Sequence, residues 1–180
     1  MIGILENERI FMREIVETDC IDVHKYASQE KVCQYQAWGP NTEKESKEFV
    51  ENVIHDAQLE PRSRFVFAVI VKDSNEMIGS GEVIIRDNVN RIGEISYIIH
   101  PHFWAKGFAT EVAELLVSYG FNELFLHRII GTCDPRNGAS AKVLGKVGMT
   151  KEGRMRENIW IKDEWRDSFL YSILKHEWQK

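Results

Sequence analysis

Cysteine is scarce in this chain of 180 residues: Cys20, Cys33 and Cys133 are the only three, an odd number with no C-x-x-C pair. That excludes a disulfide framework, offers no zinc-ligand spacing, and fits a reducing compartment. Long apolar runs are missing too. No segment approaches the roughly 20 apolar residues that a membrane-spanning helix requires. The opening MIGILENERIFMRE lacks the basic region and extended apolar core of a secretory signal. A cytoplasmic location with no membrane partner is expected. Positive charge is not in excess, since 23 Lys and Arg stand against 28 Asp and Glu for a net of −5. Such a balance provides no polyanion-binding surface, so nucleic acid is not an expected partner. Two phosphate motifs are also absent: there is no G-x-x-x-x-G-K-[ST], and GSGEVI from Gly79 lacks the third glycine of a dinucleotide fingerprint. Nucleotide hydrolysis and hydride transfer lose their support.

What is present is 43% hydrophobic residues with five Trp and nine Phe, enough for one core in a single domain over residues 1–180. RIFMREI reads as a short first strand. Thr18 or Asp19 can cap a helix in TDCIDVHKYASQ that buries Ile21, Val23 and Tyr26. In WGPNTEKESKEFVENVIHDAQ, Pro40 stops what precedes it, Thr42 and Glu45 have capping-box spacing, and Phe49, Val50, Val53 and Ile54 form an apolar helix face. From Arg64 the period changes to two. FVFAVIVK, MIGSGEVII and RIGEISYIIH are three strands joined by the turns DSNE and RDNVN, an antiparallel meander.

GFATEVAELLVSYGFNEL then spaces Phe108, Val112, Leu115, Leu116 and Tyr119 along one helix face. RIIGTC is a strand. DPRNGASAKVLGKVGM holds a helix capped by Asn137 and stopped at Gly148, and the tail from Glu152 closes as a hairpin turning at Lys162 to Glu164. This order predicts a mixed α/β layer fold with helices packed on one sheet.

The stretch HPHFWAKGFATE, His100 to Glu111, joins strand to helix. A helix start leaves about four N–H groups unpaired and carries roughly half a positive charge. Gly107 with the small Ala105 and Ala109 permits close approach of an anion, and Lys106 adds charge. A glycine at a helix start is also ordinary chain geometry, so the turn alone leaves both readings open.

WAKGFATEV resembles the Q/R-x-x-G-x-G/A signature of the GNAT N-acetyltransferase superfamily. Its aromatic-first form is similar to the W-G-K-G-Y-A-T-E variant of the ribosomal-protein-alanine N-acetyltransferase (RimJ/RimL-like) group. REIVETDCIDVHKYASQEKVCQYQAWGPNTEKESKEF resembles that group's N-terminal helices, GEISYIIHPHFW its preceding strand, NGASAKVLGKVGM its N-x-x-S-x-x-V-L-E-K-x-G-F segment, and DSFLYSILKHEW its closing strand. The likeness spans essentially the whole chain in the same order. Two departures stand out: the first motif glycine is Ala105 and the glutamate after the V-L pair is Gly145. Neither removes a main-chain N–H.

The resemblance implies a mostly antiparallel sheet of about seven strands flanked by helices, with a splay between the fourth and fifth. It implies acetyl-CoA as cosubstrate and no metal. The pyrophosphate would rest on the N–H groups of Lys106, Gly107, Phe108, Ala109 and Thr110, next to Trp104 and Ala105, and the pantetheine arm would run beside Ile98, Ile99 and His100 like an added strand. Asn137 would bond the arm near the thioester, and Ser140 would lie close to the sulfur.

Acyl transfer to an amine needs a neutral amine, a stabilised oxyanion and a proton for the leaving thiolate. Glu94 in GEISY is the expected base or water anchor, or else a solvated strand carboxylate, and Glu82 on the neighbouring strand is the second choice. Many family members carry a tyrosine seven residues after the asparagine, a position that is Leu144 here. Ser140 is the nearest replacement. Ile98 or Ile99 would supply an N–H to the oxyanion. Trp38, Phe103, Trp104 and Trp160 could shape an acceptor groove or serve the core, to which Tyr97 and Tyr171 are assigned; His100 and His102 are read as surface residues. The acceptor implied is a protein N-terminal α-amine, as on a ribosomal protein. A polyamine, antibiotic or other small amine is the alternative, and a non-catalytic acyl-CoA-binding module is the alternative from another class. Oligomeric state, a homo-oligomer included, is left open.

Overall fold

A computed structural model describes residues 3–178. The chain runs β1 (Leu5–Glu6), β2 (Ile10–Glu14), α1 (Cys20–Ala27), α2 (Glu30–Cys33), α3 (Glu43–Asp56), β3 (Arg64–Val71), β4 (Glu76–Asp87), β5 (Ile92–Ile99), α4 (Phe108–Asn122), β6 (Arg128–Cys133), α5 (Gly138–Lys146), β7 (Thr150–Ile161) and β8 (Glu164–Leu174). All eight strands form one open sheet in the order β1-β2-β3-β4-β5-β6-β8-β7. Neighbours are antiparallel except β5 and β6, which are parallel. The strand beyond the expected seven is β1, whose Leu5 pairs with Met12.

Period-two alternation along β3 explains why FVFAVIV is apolar throughout. Phe65, Phe67 and Val69 pack into a core with Val112, Leu116 and Tyr119 of α4. Val66, Ala68 and Ile70 pack into a second core with Val23 and Tyr26 of α1 and Val50 and Val53 of α3. Both faces are covered, so the strand has no wet side.

Helix α3 begins as its capping box requires: Thr42 Oγ1 accepts from the Glu45 N–H, and the Glu45 carboxylate accepts from the Thr42 N–H at 2.7 Å. Helix α1 departs from expectation at Ile21, which is 68% exposed. Val23, Tyr26 and Ala27 form its inner face, and two residues before Val23 a helix has turned about 200°. Asp19 precedes this helix but makes no side-chain cap; its carboxylate instead accepts from Arg13 and the Val16 N–H. Helix α2 was not expected, because a single turn carries no periodic signal of its own. Gly148, at φ +92, follows α5 as its stop. Lys162 and Asp163, at φ +49 and +61, turn the closing hairpin with the twist its strands require.

The pairing of β5 with β6 covers Ile92, Gly93 and Glu94 and ends there. Beyond Glu94, β5 keeps β4 as its partner as far as Ile99, while β6 continues against β8 to Cys133. Two parallel neighbours thus part halfway along, at the expected splay, and the opening connects the two faces of the sheet.

Candidate active site

One side of the opening leads to the turn before α4. His100 begins a 3-10 turn over Pro101–Phe103, and Gly107 caps α4 at φ +90. Ala105 also sits in the left-handed region, at φ +61. The N–H groups of Lys106, Gly107, Phe108 and Ala109 meet no main-chain acceptor among the described residues, whereas that of Thr110 donates to the Gly107 carbonyl at 2.9 Å. Four consecutive free donors at the positive end of a helix suit an anion. A Cβ at Gly107 would lie 3.2 Å from Arg9 Nη2, so the glycine answers to the backbone conformation and to Arg9. From this turn a groove of about 720 Å³ passes Phe103 and Trp104 to Tyr97 and Ile99, with Gly138, Ser140 and Val143 of α5 on its other wall. The Lys106 ammonium stands 5.2 Å from the centre of the Phe103 ring.

The floor of the groove is strand edge. The His100 N–H donates to the Ile78 carbonyl at 2.7 Å, and Ser80 lies opposite Ile98. Counting back by twos, Ile98 and Ser96 direct their main-chain groups to β4, and Ile99 and Tyr97 direct theirs into the opening. The Ile99 carbonyl accepts the Trp104 indole N–H at 2.6 Å, which leaves the Ile99 N–H facing the gap. Of the two oxyanion candidates, only Ile99 therefore points the right way. His100 itself lines neither cavity. Its Nε2 is 2.9 Å from the Gln29 amide nitrogen, and burial together with the neighbouring His102 lowers its pKa from the ordinary value.

Across the opening lies a smaller pocket of about 220 Å³. Tyr35, Gln36, Tyr97, Asn137 and Ser140 line both cavities, so the two spaces meet at these side chains. Asn137 caps α5, its side-chain oxygen accepting from the Ser140 N–H at 3.1 Å. The Ser140 hydroxyl is 3.1 Å from the Tyr97 hydroxyl. Burial raises the Tyr97 phenol well above its ordinary pKa; it stays protonated and can donate to Ser140. Leu144, where the tyrosine of the family pattern would fall, is 1% exposed and belongs to the core. A phenol nevertheless reaches the junction, from the strand instead of the helix.

Three carboxylates border the smaller pocket, and each has an arginine. Glu94 accepts from Arg86 Nε at 2.8 Å and from the Thr132 hydroxyl at 3.0 Å. Asp134 accepts from Arg136 Nη2 at 2.7 Å, and that bond holds its carboxyl below the usual carboxylate range. Asp167 accepts from the Glu157 N–H at 2.8 Å and from Arg154, which lower it likewise. Glu82 lines neither cavity. It is bound by Arg64 Nε at 2.5 Å and by the Ser96 hydroxyl at 3.0 Å, so Glu94 is the strand carboxylate at the opening.

The aromatics divide. Trp38 lines the smaller pocket and Phe103 and Trp104 the groove, while Trp160 lines neither and packs on Trp165 with ring centres 5.3 Å apart. Tyr97 has a place at the junction as well as beside the core. Tyr35, Asp134 and Asp167 carried no chemical pattern in the sequence.

Residues 9–150 match the family model described as Acetyltransferase (GNAT) domain. The chain is 34% identical to YnaD of Bacillus subtilis, an uncharacterized N-acetyltransferase, over 97% of this chain and 98% of that protein. It is 27% identical to the spermidine N(1)-acetyltransferase of Escherichia coli, over 93% of this chain and 87% of that one. A solved GNAT-family acetyltransferase from Bacillus anthracis superposes with a TM-score of 0.85 at 32% identity, covering 97% of this chain and 99% of the other. On the family match, the shared fold and these relatives, the chain belongs to the GNAT family and is an N-acetyltransferase.

Proposed function

We propose that the protein transfers acetyl from acetyl-CoA to the N-terminal α-amine of a protein, after the manner of the RimJ/RimL-like group. The observation that carries this reading is the meeting of a long groove and a small pocket at Tyr97, Asn137 and Ser140. Acetyl-CoA would lie in the groove, its diphosphate on the N–H groups of Lys106 to Ala109 and its arm along the open edges of Tyr97 and Ile99. The amine would enter from the smaller pocket. Its nitrogen would attack the thioester carbonyl and shed a proton to Glu94, directly or through water; the Ile99 N–H would receive the oxyanion, and as the carbon–sulfur bond breaks the CoA thiolate would take a proton through Ser140.

The electrostatics of the pocket support the α-amine. An α-amine of pKa about 7.7–8.0 is roughly 10% neutral at pH 7, whereas an amine near about 10.4 is neutral only about 0.04% of the time. Glu94 is tied to Arg86 and Thr132, so both of its carboxylate oxygens already have partners. Asp134 and Asp167 are similarly paired, so the pocket offers little unpaired negative charge to hold a polycation. A second reading, acetylation of a polyamine or other small amine, is favoured by the likeness to a spermidine acetyltransferase over most of the chain.

Release of free CoA across a panel of N-terminal peptides, polyamines and aminoglycosides separates the two. Turnover is expected with a subset of peptides. Turnover confined to polyamines would replace the first reading by the second. For the cofactor placement, addition of CoA should shift the amide resonances of Lys106 to Ala109, and unshifted resonances at saturating CoA would overturn it.

A further inference from the structure

The turn before α4 does not hold its shape alone. Arg9, in the loop between β1 and β2, reaches it from 97 positions away and donates through Nη2 to the Lys106 carbonyl at 2.9 Å. Its Nε donates to Glu111 Oε1 at 2.8 Å, and Nη2 pairs with the same oxygen. The guanidinium carbon stands 4.4 Å from the centre of the Phe108 ring. The loop that carries Arg9 is itself fixed. Asn7 Oδ1 accepts from the Arg9 and Ile10 N–H groups, each at 2.9 Å, and Asn7 Nδ2 donates to Glu111 Oε2 at 3.0 Å.

We infer that Arg9 is a positioning residue for the cofactor's diphosphate, acting through the Lys106–Gly107 peptide and through Glu111; the inference rests on the placement of the diphosphate proposed above. In a trans peptide the carbonyl and the N–H point in opposite directions. Holding the Lys106 carbonyl outward on Arg9 therefore turns the Gly107 N–H the other way, away from Arg9. Glu111 lies in the first turn of α4, where a carboxylate stabilises the helix but would repel an anion on the same donors. Arg9 neutralises it. One guanidinium thus fixes the direction of a donor and removes an opposing charge, a two-pronged geometry that lysine cannot reproduce.

The test is Arg9→Met, which keeps an apolar stem on Phe108. The dissociation constant for acetyl-CoA should rise about tenfold, comparable to losing one charge-assisted hydrogen bond. kcat/KM for S-acetylpantetheine, which has no diphosphate, should stay at the wild-type value. Arg9→Lys should fall between the two, and Glu111→Gln added to Arg9→Met should restore part of the acetyl-CoA affinity. Unchanged acetyl-CoA affinity in Arg9→Met would overturn the inference. So would a parallel loss with S-acetylpantetheine, since a merely structural brace affects both donors alike. The wild-type resonance shifts of Lys106 to Ala109 separate the two claims. Without those shifts the diphosphate placement fails and Arg9 with it; with them, an unaffected Arg9→Met variant sinks the role of Arg9 alone.

Discussion

Replacing Glu94 by Gln tests the proposed base and the proposed acceptor together. The substitution keeps an oxygen to accept from Thr132 but removes the charge paired with Arg86, whose side chain is 51% exposed. An ion pair of that exposure contributes about 0.2–1 kcal/mol, so the fold should persist. What changes is the removal of a proton from the amine. If Glu94 serves an α-amine of pKa about 8, roughly one molecule in ten is already neutral at pH 7, and losing the base should cost no more than about tenfold in kcat/KM. Raising the pH to about 9 leaves over about 90% of that amine neutral, and the deficit should close. An amine near pKa about 10.4 behaves differently: it is neutral about 0.04% of the time at pH 7 and about 4% at pH 9, so the deficit could exceed about a thousandfold at pH 7 and still stand at about 25-fold at pH 9. The assay is CoA release as a function of pH between about 6.5 and 9 with a peptide bearing a free N-terminus, wild type beside variant. Superimposable profiles would refute the assignment of Glu94 as base. A thousandfold loss that persists at pH 9 with the same peptide would refute its being only a proton acceptor.

Ala105→Gly should stabilise the protein: the left-handed conformation at φ +61 costs a residue with a Cβ about 1–2 kcal/mol, and the added freedom of the unfolded chain returns about 0.4–1. The net gain of about 0.5–1 kcal/mol should raise Tm by about 1–4 °C for a chain of this size, read by circular dichroism; a lower Tm would show that the turn is unstrained. Asp134 has its folded pKa lowered by Arg136, so its contribution is full above the unfolded value of about 3.9 and is lost as pH falls through the lower folded value. Asp134→Asn should accordingly be less stable than wild type at pH 7, with the gap closing below about pH 4, and a gap independent of pH in urea titrations would contradict this. Tyr97→Phe removes the hydroxyl 3.1 Å from that of Ser140 and should lower kcat while sparing acetyl-CoA affinity. If the phenol acts through Ser140, the double variant should be no slower than Ser140→Ala alone, and additive losses would separate their roles.

Legibility in the sequence follows how local each feature is. The box at Thr42 and Glu45, the cap at Asn137 and the hairpin turn at Lys162 and Asp163 lie within a few residues, and the structure has each of them. Helix α1 has only eight residues, too few turns for the pattern to choose between Ile21 and Ala27. The run of free N–H donors before α4 was readable because those donors are contiguous. The smaller pocket was not, since Tyr35, Glu94, Thr132, Ile159 and Asp167 come from separate elements. Arg9 is hidden for the same reason: its partners at Lys106 and Glu111 lie about a hundred positions away.

Tyr97 is the instructive case. Three residues on from Glu94, Tyr97 lies on the opposite face of β5, packed against the core that α4 covers, which is the place expected of it from the sequence. Its hydroxyl meets Ser140 of α5, and β6 leaves β5 after Glu94, so both cavities reach that pair of hydroxyls. Leu144 at the family's tyrosine position pointed to Ser140 as the replacement and left Tyr97 to the core, whereas the structure brings the Tyr97 hydroxyl to Ser140. A single break in strand pairing thus accounts for the free main-chain edge of the groove and the passage between cavities, and Tyr97 stands beside both.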